Sequence, residues 1–284
     1  MKILNIHEAL DCVKGIYGED AHITTIDTGY ENIIFNVNNK FTVRFPRSQE
    51  IWNRGIVERT VLSLLNDSPI AIPKILFKSD APAFIVTEYI NGKHFSSEIL
   101  RNLPEHVKNN IGMSIAEFAY YMHSSVQVKN IKPLLPKVKD TYSQYLKRVL
   151  YERKDPNTKI NILAKKYYEL WLAMPKTKNV VVHDDLHIEN LLFDDHYNLV
   201  GVLDFGAVCI GSPEQDLRQT YRLGDEFLKA AVTKYQELSG KTLDIEISKI
   251  WTITQELGAY CREDSGVAHE RAARNLQFWF GLDL

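Results

Sequence analysis

One short stretch, from Asn179 to Gly206, carries polar residues whose types and spacing could support chemistry. A polar loop with Asp185 and Asn190 precedes a short predicted strand, a turn follows, and Asp204 comes directly after the next predicted strand. In an antiparallel hairpin, the start of the first strand and the end of the second lie at the same end. The hairpin is therefore expected to gather three oxygen-bearing side chains at one spot.

Three such side chains suit the transfer of a phosphoryl group. Mg²⁺ prefers oxygen ligands and keeps positions open for phosphate, while the acceptor hydroxyl needs a carboxylate to receive its proton. The spacing resembles the kinase catalytic loop H-x-D-x-x-x-x-N followed by D-F-G, matched at His183 to Asn190 and at Asp204 to Gly206. The resemblance implies that Asp185 is the base and that Asn190 and Asp204 hold the metal. A polar turn beside an ordinary hairpin is the alternative.

Two departures separate the chain from protein kinases. Asp184 stands where regulated protein kinases have an arginine that contacts a phosphorylated activation loop, and the stretch from Asp204 to Asp216 is too short for such a loop. The variant H-D-D-L-H-I-E-N-L-L-F, with G-V-L-D-F-G-A and then G-S-P-E-Q-D-L, resembles the aminoglycoside phosphotransferase family of small-molecule kinases. The resemblance covers about Ile26 to Leu217 and is strongest between His183 and Gly206.

The resemblance also implies how the nucleotide is held. The backbone of Glu88 and Ile90, in the connection between two lobes, is expected to hold the adenine, and the loop around Gly29 is expected to cover the nucleotide. An ordinary turn at Gly29 is the alternative, because one glycine alone is a weak signal. His187 is expected near the γ-phosphate, with a neutral loop histidine as the alternative.

Two residues are predicted to support the loop. His183 ends the preceding strand and is predicted to turn inward as an anchor. In related kinases an aspartate at the place of Asp216 accepts hydrogen bonds from the catalytic-loop backbone; a surface acid that complements a helix dipole is the alternative.

Ser212 and Gln215 form a predicted capping box, from which a single helix is expected to run to about Leu238.

An acid lies on the apolar face of the helix predicted from about Gln49 to Asn66. Glu58 on that face should pair with a cation, and Arg44 on the neighbouring strand is the obvious donor. Kinases have a lysine at this strand position, and it contacts the nucleotide phosphates. Because arginine keeps the charge and can bind phosphate through two N–H groups, we expect Arg44 to bind the nucleotide with Glu58 as its partner. A purely structural ion pair is the alternative.

The acceptor site is expected in the part of the chain beyond Leu217. An aminoglycoside is polycationic, so its pocket should be acidic. The available acids are Asp225, Glu226, Glu256, Glu263 and Asp264. Acids on helices usually face solvent, which is the alternative for all of them.

Two alternative functions stay open. The first is a kinase acting on a sugar, choline, homoserine or a macrolide. The second, suggested only by Arg44, is a nucleotide-binding pseudokinase that serves as an interaction module.

Length and composition limit the size of the domains and the classes of partner that the chain is expected to have. The chain has 284 residues, of which 45% are hydrophobic and 25% charged, enough for two lobes with real cores. The net charge of −2 gives no reason to expect a nucleic-acid polymer or a membrane as partner. A polar start and the lack of a span-length apolar run predict a cytoplasmic protein. The oligomeric state is open, with a monomer favoured.

The predicted elements favour a two-lobed, protein-kinase-like α+β fold. Residues 1–88 are expected to form a nucleotide-binding lobe with an antiparallel sheet and one main helix. Residues 89–93 would connect it to a mainly helical catalytic and acceptor-binding lobe, 94–284. ATP or GTP, with Mg²⁺, would bind between the lobes.

Overall fold

A computed structural model describes residues 2–26, 31–65, 67–135, 142–152, 155, 157–262 and 266–284. The predicted site residues Gly29, Glu263 and Asp264 lie outside these ranges. Among the helices in these ranges, none is long and apolar enough to cross a membrane.

The N-terminal part is a five-stranded antiparallel sheet in the spatial order β1-β2-β3-β5-β4. Its strands are β1 (Ile23–Ile26), β2 (Asn32–Val37), β3 (Phe41–Pro46), β4 (Ile75–Asp80) and β5 (Ala83–Glu88). Alternate residues of the central strands, such as Phe35 and Phe45, are buried against helix α1 (Ile6–Tyr17). Asn5 caps this helix, and its side chain accepts hydrogen bonds from the first-turn amides.

Helix α2 (Gln49–Leu64) joins the sheet to the rest of the molecule. Its buried residues Val57 and Val61 belong to the same apolar cluster as Phe118 and Phe205 of the C-terminal part. Glu58 lies on this buried face, so the position of its carboxylate depends on packing against both parts. The predicted acid on the apolar stripe is therefore a buried one, at 5% exposure.

The C-terminal part is mainly helical. Its helices are α3 (Ser97–Arg101), α4 (Glu105–Ser125), α5 (Val128–Ile131), α6 (Tyr142–Tyr151), α7 (Thr158–Ala173), α8 (Pro213–Leu217), α9 (Asp225–Ser239), α10 (Ile245–Tyr260) and α11 (Val267–Phe280). Helices α4 and α9 approach closely at Gly112, where a Cβ atom would lie 2.5 Å from the Phe227 carbonyl oxygen. Helices α6, α7, α10 and α11 enclose a separate apolar cluster. The predicted α+β fold class is confirmed.

Four short strands complete this part: β6 (Val180–Val182), β7 (Leu191–Phe193), β8 (Leu199–Val202) and β9 (Cys209–Gly211). Strands β7 and β8 form the predicted antiparallel hairpin. Strand β6 pairs with β9, which the sequence did not predict. This second pairing places Cys209 opposite Val182 and Gly211 opposite Val180.

The single helix predicted from Pro213 to about Leu238 is wrong. The chain instead forms α8, a 3₁₀ segment from Arg218 to Arg222, and α9 after Gly224. Gly224 has a φ of +139°, a conformation that side-chain-bearing residues rarely adopt and that ends any helix. The predicted capping box is half present, because the Ser212 hydroxyl accepts from the Gln215 amide while the Gln215 side chain bonds elsewhere.

Candidate active site

One buried carboxylate, that of Asp216, anchors the loop between β6 and β7. Asp216 is fully buried and accepts hydrogen bonds from the backbone N–H of His183 at 3.0 Å and of Asp184 at 2.8 Å. The His123 Nε2 atom lies 2.9 Å from the same carboxylate, and its Nδ1 atom lies 2.8 Å from the Tyr235 hydroxyl. Burial alone would raise the pKa of Asp216, but the hydrogen bond from His123 and the backbone N–H groups hold it below its usual range.

Replacing Asp216 with Asn should destabilise the fold by about 2–4 kcal/mol, because the amide loses the charge and turns an NH₂ group towards buried N–H donors. Urea unfolding followed by circular dichroism measures this free energy. Glu214→Gln, in the same helix but not fully buried, is the matched control and should change stability by less than about 0.5 kcal/mol. Equal stability of the two variants would contradict the anchoring role.

His183 is engaged at both ring nitrogens. The ring is buried, its Nε2 atom lies 3.0 Å from the Leu203 carbonyl oxygen, and its Nδ1 atom accepts from the Asp185 amide at 3.3 Å. The ring also packs against Phe205 at a centroid distance of 4.6 Å. Through these contacts His183 ties the loop to the end of the β7–β8 hairpin.

The Asp185 carboxylate is partly exposed to solvent. Its side chain is 34% exposed, and Oδ2 lies 3.3 Å from the His187 Nε2 atom and 3.3 Å from the Asn190 Nδ2 atom. Burial would raise the pKa of Asp185, but the hydrogen bond and charge of His187, together with the charges of His183 and Arg218, lower it to about 2. The carboxylate is therefore ionised at neutral pH and can accept a hydrogen bond from a hydroxyl group.

Asn190 and Asp204 offer two oxygen atoms for a cation. The Asn190 Nδ2 atom donates to the Asp185 carbonyl oxygen at 2.9 Å, which turns the amide oxygen away from Asp185. Asp204 is exposed, has a φ of +56°, and accepts from the Gly206 amide at 3.1 Å with one oxygen only. Within the described ranges, no three His, Cys, Asp or Glu side chains are arranged so that they could together hold a metal ion. Mg²⁺, however, often binds through one or two protein oxygens plus phosphate and water, so this donor pair fits it.

The predicted ion pair between Arg44 and Glu58 is present. The Arg44 Nη1 and Nη2 atoms donate to the two carboxylate oxygens at 2.8 and 2.7 Å. The Arg44 Nε atom is buried and has no hydrogen-bond partner among the described residues. Burial would lower the pKa of Arg44, but the charges of Glu58 and then Asp204 raise it. Arg44 therefore remains cationic beside Asp204, with N–H groups left over for a further acceptor.

The connection after β5 is fixed to both parts of the molecule. The Tyr89 amide donates to the Lys40 carbonyl at 2.9 Å, and Lys93 exchanges two backbone hydrogen bonds with Phe193 at 2.8 and 2.9 Å. Among the described residues, no backbone carbonyl accepts a hydrogen bond from the Ile90 amide. One N–H of the connection is therefore available for a ligand. The Glu88 side chain points to solvent beside Lys74.

The three described acids among those predicted for the acceptor site have different surroundings. Asp225 is paired with Lys249 at 2.7 Å, and Glu226 is exposed at the start of α9. Glu256 is fully buried and contacts the Arg222 guanidinium. Of the three acids that the structure describes, only Glu226 is both exposed and without a recorded ion pair.

Sequence reasoning missed the residues that hold Asp184. This residue has a φ of +66°, and its carboxylate accepts from Arg218 Nη1 at 2.7 Å and from Gln215 Nε2 at 2.8 Å. Arg218 also donates to the Asp184 carbonyl at 2.8 Å. A signal was available, because an aspartate that replaces the usual arginine needs a cation, and Arg218 follows Asp216 closely. His123 gave no comparable signal.

Comparisons with known proteins identify the family and the fold of the chain. The model of the APH phosphotransferase enzyme family matches residues 22–245. A solved GDP complex of wild-type aminoglycoside 2'-phosphotransferase-IIIa has 16% identity and a TM-score of 0.77, covering 97% of this chain and 98% of that one. The streptomycin–ATP–APH(2″)-IIa ternary complex has 19% identity and a TM-score of 0.67, covering 97% of each chain.

A macrolide phosphotransferase is similar as well. The macrolide 2'-phosphotransferase MphH from Brachybacterium faecium has 20% identity and a TM-score of 0.70, covering 95% of this chain and 98% of that one. The search of curated proteins gave no match. At these identities the solved structures establish the shared fold, while the family match spans most of the sequence. The protein therefore belongs to the APH phosphotransferase enzyme family.

Proposed function

We propose that the protein transfers the γ-phosphoryl group of ATP or GTP to a hydroxyl group of a small molecule. The observation that carries this proposal is the ionised, partly exposed Asp185 carboxylate in a loop fixed by Asp216, beside the oxygen pair of Asn190 and Asp204. Because nucleoside triphosphates are available in the cytoplasm, we propose that the reaction takes place in that compartment.

Each group then has a defined task. Asp185 orients the acceptor hydroxyl and takes its proton as the new bond to phosphorus forms. Asn190 and Asp204 would hold Mg²⁺, which offsets charge on the phosphates. Arg44, held by Glu58, binds a phosphate oxygen through its remaining N–H groups. We propose that His187, whose Nε2 atom lies 3.3 Å from the Asp185 Oδ2 atom, donates to the transferred group.

We further propose that residues 1–88 bind the nucleotide, with the adenine held at Glu88 and Ile90, and that 89–93 connect them to a catalytic part, 94–284. The β5 strand ends at Glu88, and the free Ile90 amide supports this division. We propose that the loop around Gly29 covers the phosphates. A monomer suffices for this site.

An aminoglycoside is the first acceptor to test, because the loop motif from His183 to Phe193 resembles that of aminoglycoside phosphotransferases. Macrolides are the second, since solved relatives include a macrolide phosphotransferase. Purified protein with ATP or GTP, Mg²⁺ and a panel of hydroxylated compounds should give acceptor-dependent release of nucleoside diphosphate and a phosphorylated product by mass spectrometry. Nucleotide binding without transfer to any acceptor would favour the pseudokinase alternative that Arg44 suggests.

Asp204→Asn should raise the Mg²⁺ concentration needed for half-maximal rate by about tenfold or more, because an amide is a poorer ligand for a hard cation than a carboxylate. The measurement is a Mg²⁺ titration of the transfer rate at saturating nucleotide. Asp195→Asn, an exposed acid of the β7–β8 turn, is the control and should leave the midpoint unchanged. An unchanged midpoint in Asp204→Asn would remove this residue from the metal site.

A further inference from the structure

Asp184, which precedes the proposed base, has an unusual backbone conformation. Its φ is +66°, in the left-handed region that residues other than Gly, Asn and Asp rarely adopt. Of the other described non-glycine residues with positive φ, Asn38, Asn39 and Tyr197 lie in hairpin connections and Asp204 follows β8. Asp184 lies in no hairpin connection, so contacts with other segments are needed to hold its conformation.

The conformation of Asp184 sets the direction of Asp185. The two neighbours of Asp184 have opposite surroundings, because the His183 side chain is fully buried whereas that of Asp185 is 34% exposed. Rotation about the backbone bonds of Asp184 moves every atom of Asp185 relative to His183. A displacement of a reacting group by about 1 Å can cost roughly 10²-fold in rate. The rate of transfer should therefore depend on how firmly Asp184 is held.

Arg218 contacts Asp184 at both the side chain and the backbone. The Arg218 Nη1 atom donates to the Asp184 carboxylate at 2.7 Å, and its Nη2 atom donates to the Asp184 carbonyl oxygen at 2.8 Å. The Gln215 Nε2 atom donates to the same carboxylate at 2.8 Å. Because the guanidinium group is planar, its two nitrogens fix the carboxylate of Asp184 relative to the carbonyl of the same residue. That carbonyl belongs to the peptide that joins Asp184 to Asp185.

Helix α10 in turn holds Arg218, whose side chain is only 4% exposed. The Arg218 Nε atom donates to the Gln255 Oε1 atom at 3.3 Å, and the guanidinium lies over the Trp251 ring, 5.4 Å from its centroid. The Thr252 hydroxyl donates to the Arg218 carbonyl at 2.7 Å. Because its backbone and its side chain are both bound, Arg218 has little freedom to follow Asp184 if the loop moves.

The charges of this contact favour the observed arrangement. The Asp184 side chain is 27% exposed; burial raises its pKa, and the charge of Arg218 and the hydrogen bond from Gln215 oppose that rise. Against the effect of burial, the hydrogen bond from His187 and, more weakly, the charge of Arg218 lower the pKa of Asp185. Arg218 therefore acts on the proposed base through the loop backbone and through its charge.

We propose that Arg218 is a positioning residue for phosphoryl transfer, which holds Asp184 in its left-handed conformation and thereby directs the Asp185 carboxylate towards the acceptor hydroxyl. This inference rests on the proposed transfer to a hydroxyl group and deepens it. Arg218 acts through the loop and needs no contact with either substrate. An ion pair that only stabilised the fold would leave the rate of the folded enzyme unchanged.

Hydrogen exchange of residues 183–190, followed by mass spectrometry, tests the restraint without any acceptor. Arg218→Lys keeps the charge but lacks the planar group that reaches carboxylate and carbonyl together. We expect exchange of this loop, relative to helix α4, to rise at least about tenfold in the variant. Leu276→Ala, which opens a cavity in the apolar cluster of α6, α7, α10 and α11, is the control. It should lower the melting temperature at least as much and leave that exchange ratio unchanged.

The rate of transfer separates positioning from stability. Arg218→Lys should lower kcat by about 10- to 100-fold, while KM for the nucleotide stays within about twofold of the wild-type value. Leu276→Ala should keep the wild-type kcat at a temperature at which it remains folded.

Two double variants isolate the backbone conformation of residue 184. Arg218→Leu combined with Asp184→Gly, or with Asp184→Ala, removes both charges, so neither protein is left with an unpaired buried ion. The two proteins differ in whether residue 184 adopts the left-handed conformation without strain. We expect the glycine variant to transfer about tenfold faster than the alanine variant, because a Cβ atom disfavours that conformation by about this factor.

Loop exchange in Arg218→Lys that matches the wild type would overturn the inference, whether or not an acceptor is known. An unchanged kcat in Arg218→Lys, or an alanine double variant as fast as the glycine one, would overturn it as well. Absence of transfer by the wild-type protein to any acceptor would instead count against the proposed function, and the exchange experiment would still decide whether Arg218 holds the loop.

Discussion

Asp185→Ala should lower the rate of phosphoryl transfer by at least about 10²–10⁴-fold, the usual effect of losing a general base, with lost positioning adding to it. Nucleotide affinity should stay close to that of the wild type, because Asp185 faces the acceptor. The loop should survive, since Asn190 is held by the Asp185 carbonyl oxygen, which the substitution keeps. Single-turnover transfer and equilibrium nucleotide binding measure the two effects.

Asp185→Asn is the matched variant, because it keeps the shape and removes only the charge. We expect it to lose nearly as much activity as the alanine variant. Glu189→Gln, an exposed acid in the same loop, is the control and should keep most of the activity. A variant at Asp185 that retained more than about a tenth of the wild-type rate would exclude this residue as the base.

The pH profile gives an independent check on Asp185. Its folded-state pKa, about 2, lies below the ordinary value, so the carboxylate stays ionised through the neutral range. The stabilisation that comes with this shift is present above the ordinary pKa and is lost as the pH falls towards about 2. A fall in rate near neutral pH must therefore arise from another group.

Arg44→Ala should destabilise the fold by about 3–5 kcal/mol and weaken nucleotide binding and turnover. The ion pair is largely buried, with side-chain exposures of 17% for Arg44 and 6% for Glu58, so removing one partner leaves an uncompensated buried charge. Arg44→Lys should retain much of the nucleotide affinity, because the charge and its partner remain. Thermal melts with and without nucleotide report both effects.

The double variant Arg44→Ala with Glu58→Leu separates the contribution of Arg44 to fold stability from its contribution to phosphate binding. It removes both charges, so stability should largely return while nucleotide affinity stays low. Arg54→Ala breaks an exposed ion pair with Glu31 and should cost only about 0–1 kcal/mol. An Arg44→Ala protein that melts earlier yet keeps the wild-type nucleotide-induced shift and turnover would restrict Arg44 to a structural role.

The sequence by itself determined the features that depend on local spacing. Asn190 precedes strand β7 and Asp204 follows strand β8. The two residues lie at the same end of the hairpin, because two short antiparallel strands joined by a turn have their outer ends side by side. The pairing of Arg44 with Glu58 followed from helix periodicity, since an acid on an apolar face needs a cation. The fold class followed from the order of these elements.

Only the tertiary structure decided the contacts between distant segments. The β6–β9 pairing, the approach of His123 to Asp216 and the pairing of Arg218 with Asp184 join residues far apart in the chain. The neutralisation of Glu256 by Arg222 is of the same kind. A helical pattern shows which face is apolar, but the partner of a buried charge is set by how helices pack, because many partners are compatible with the same periodicity.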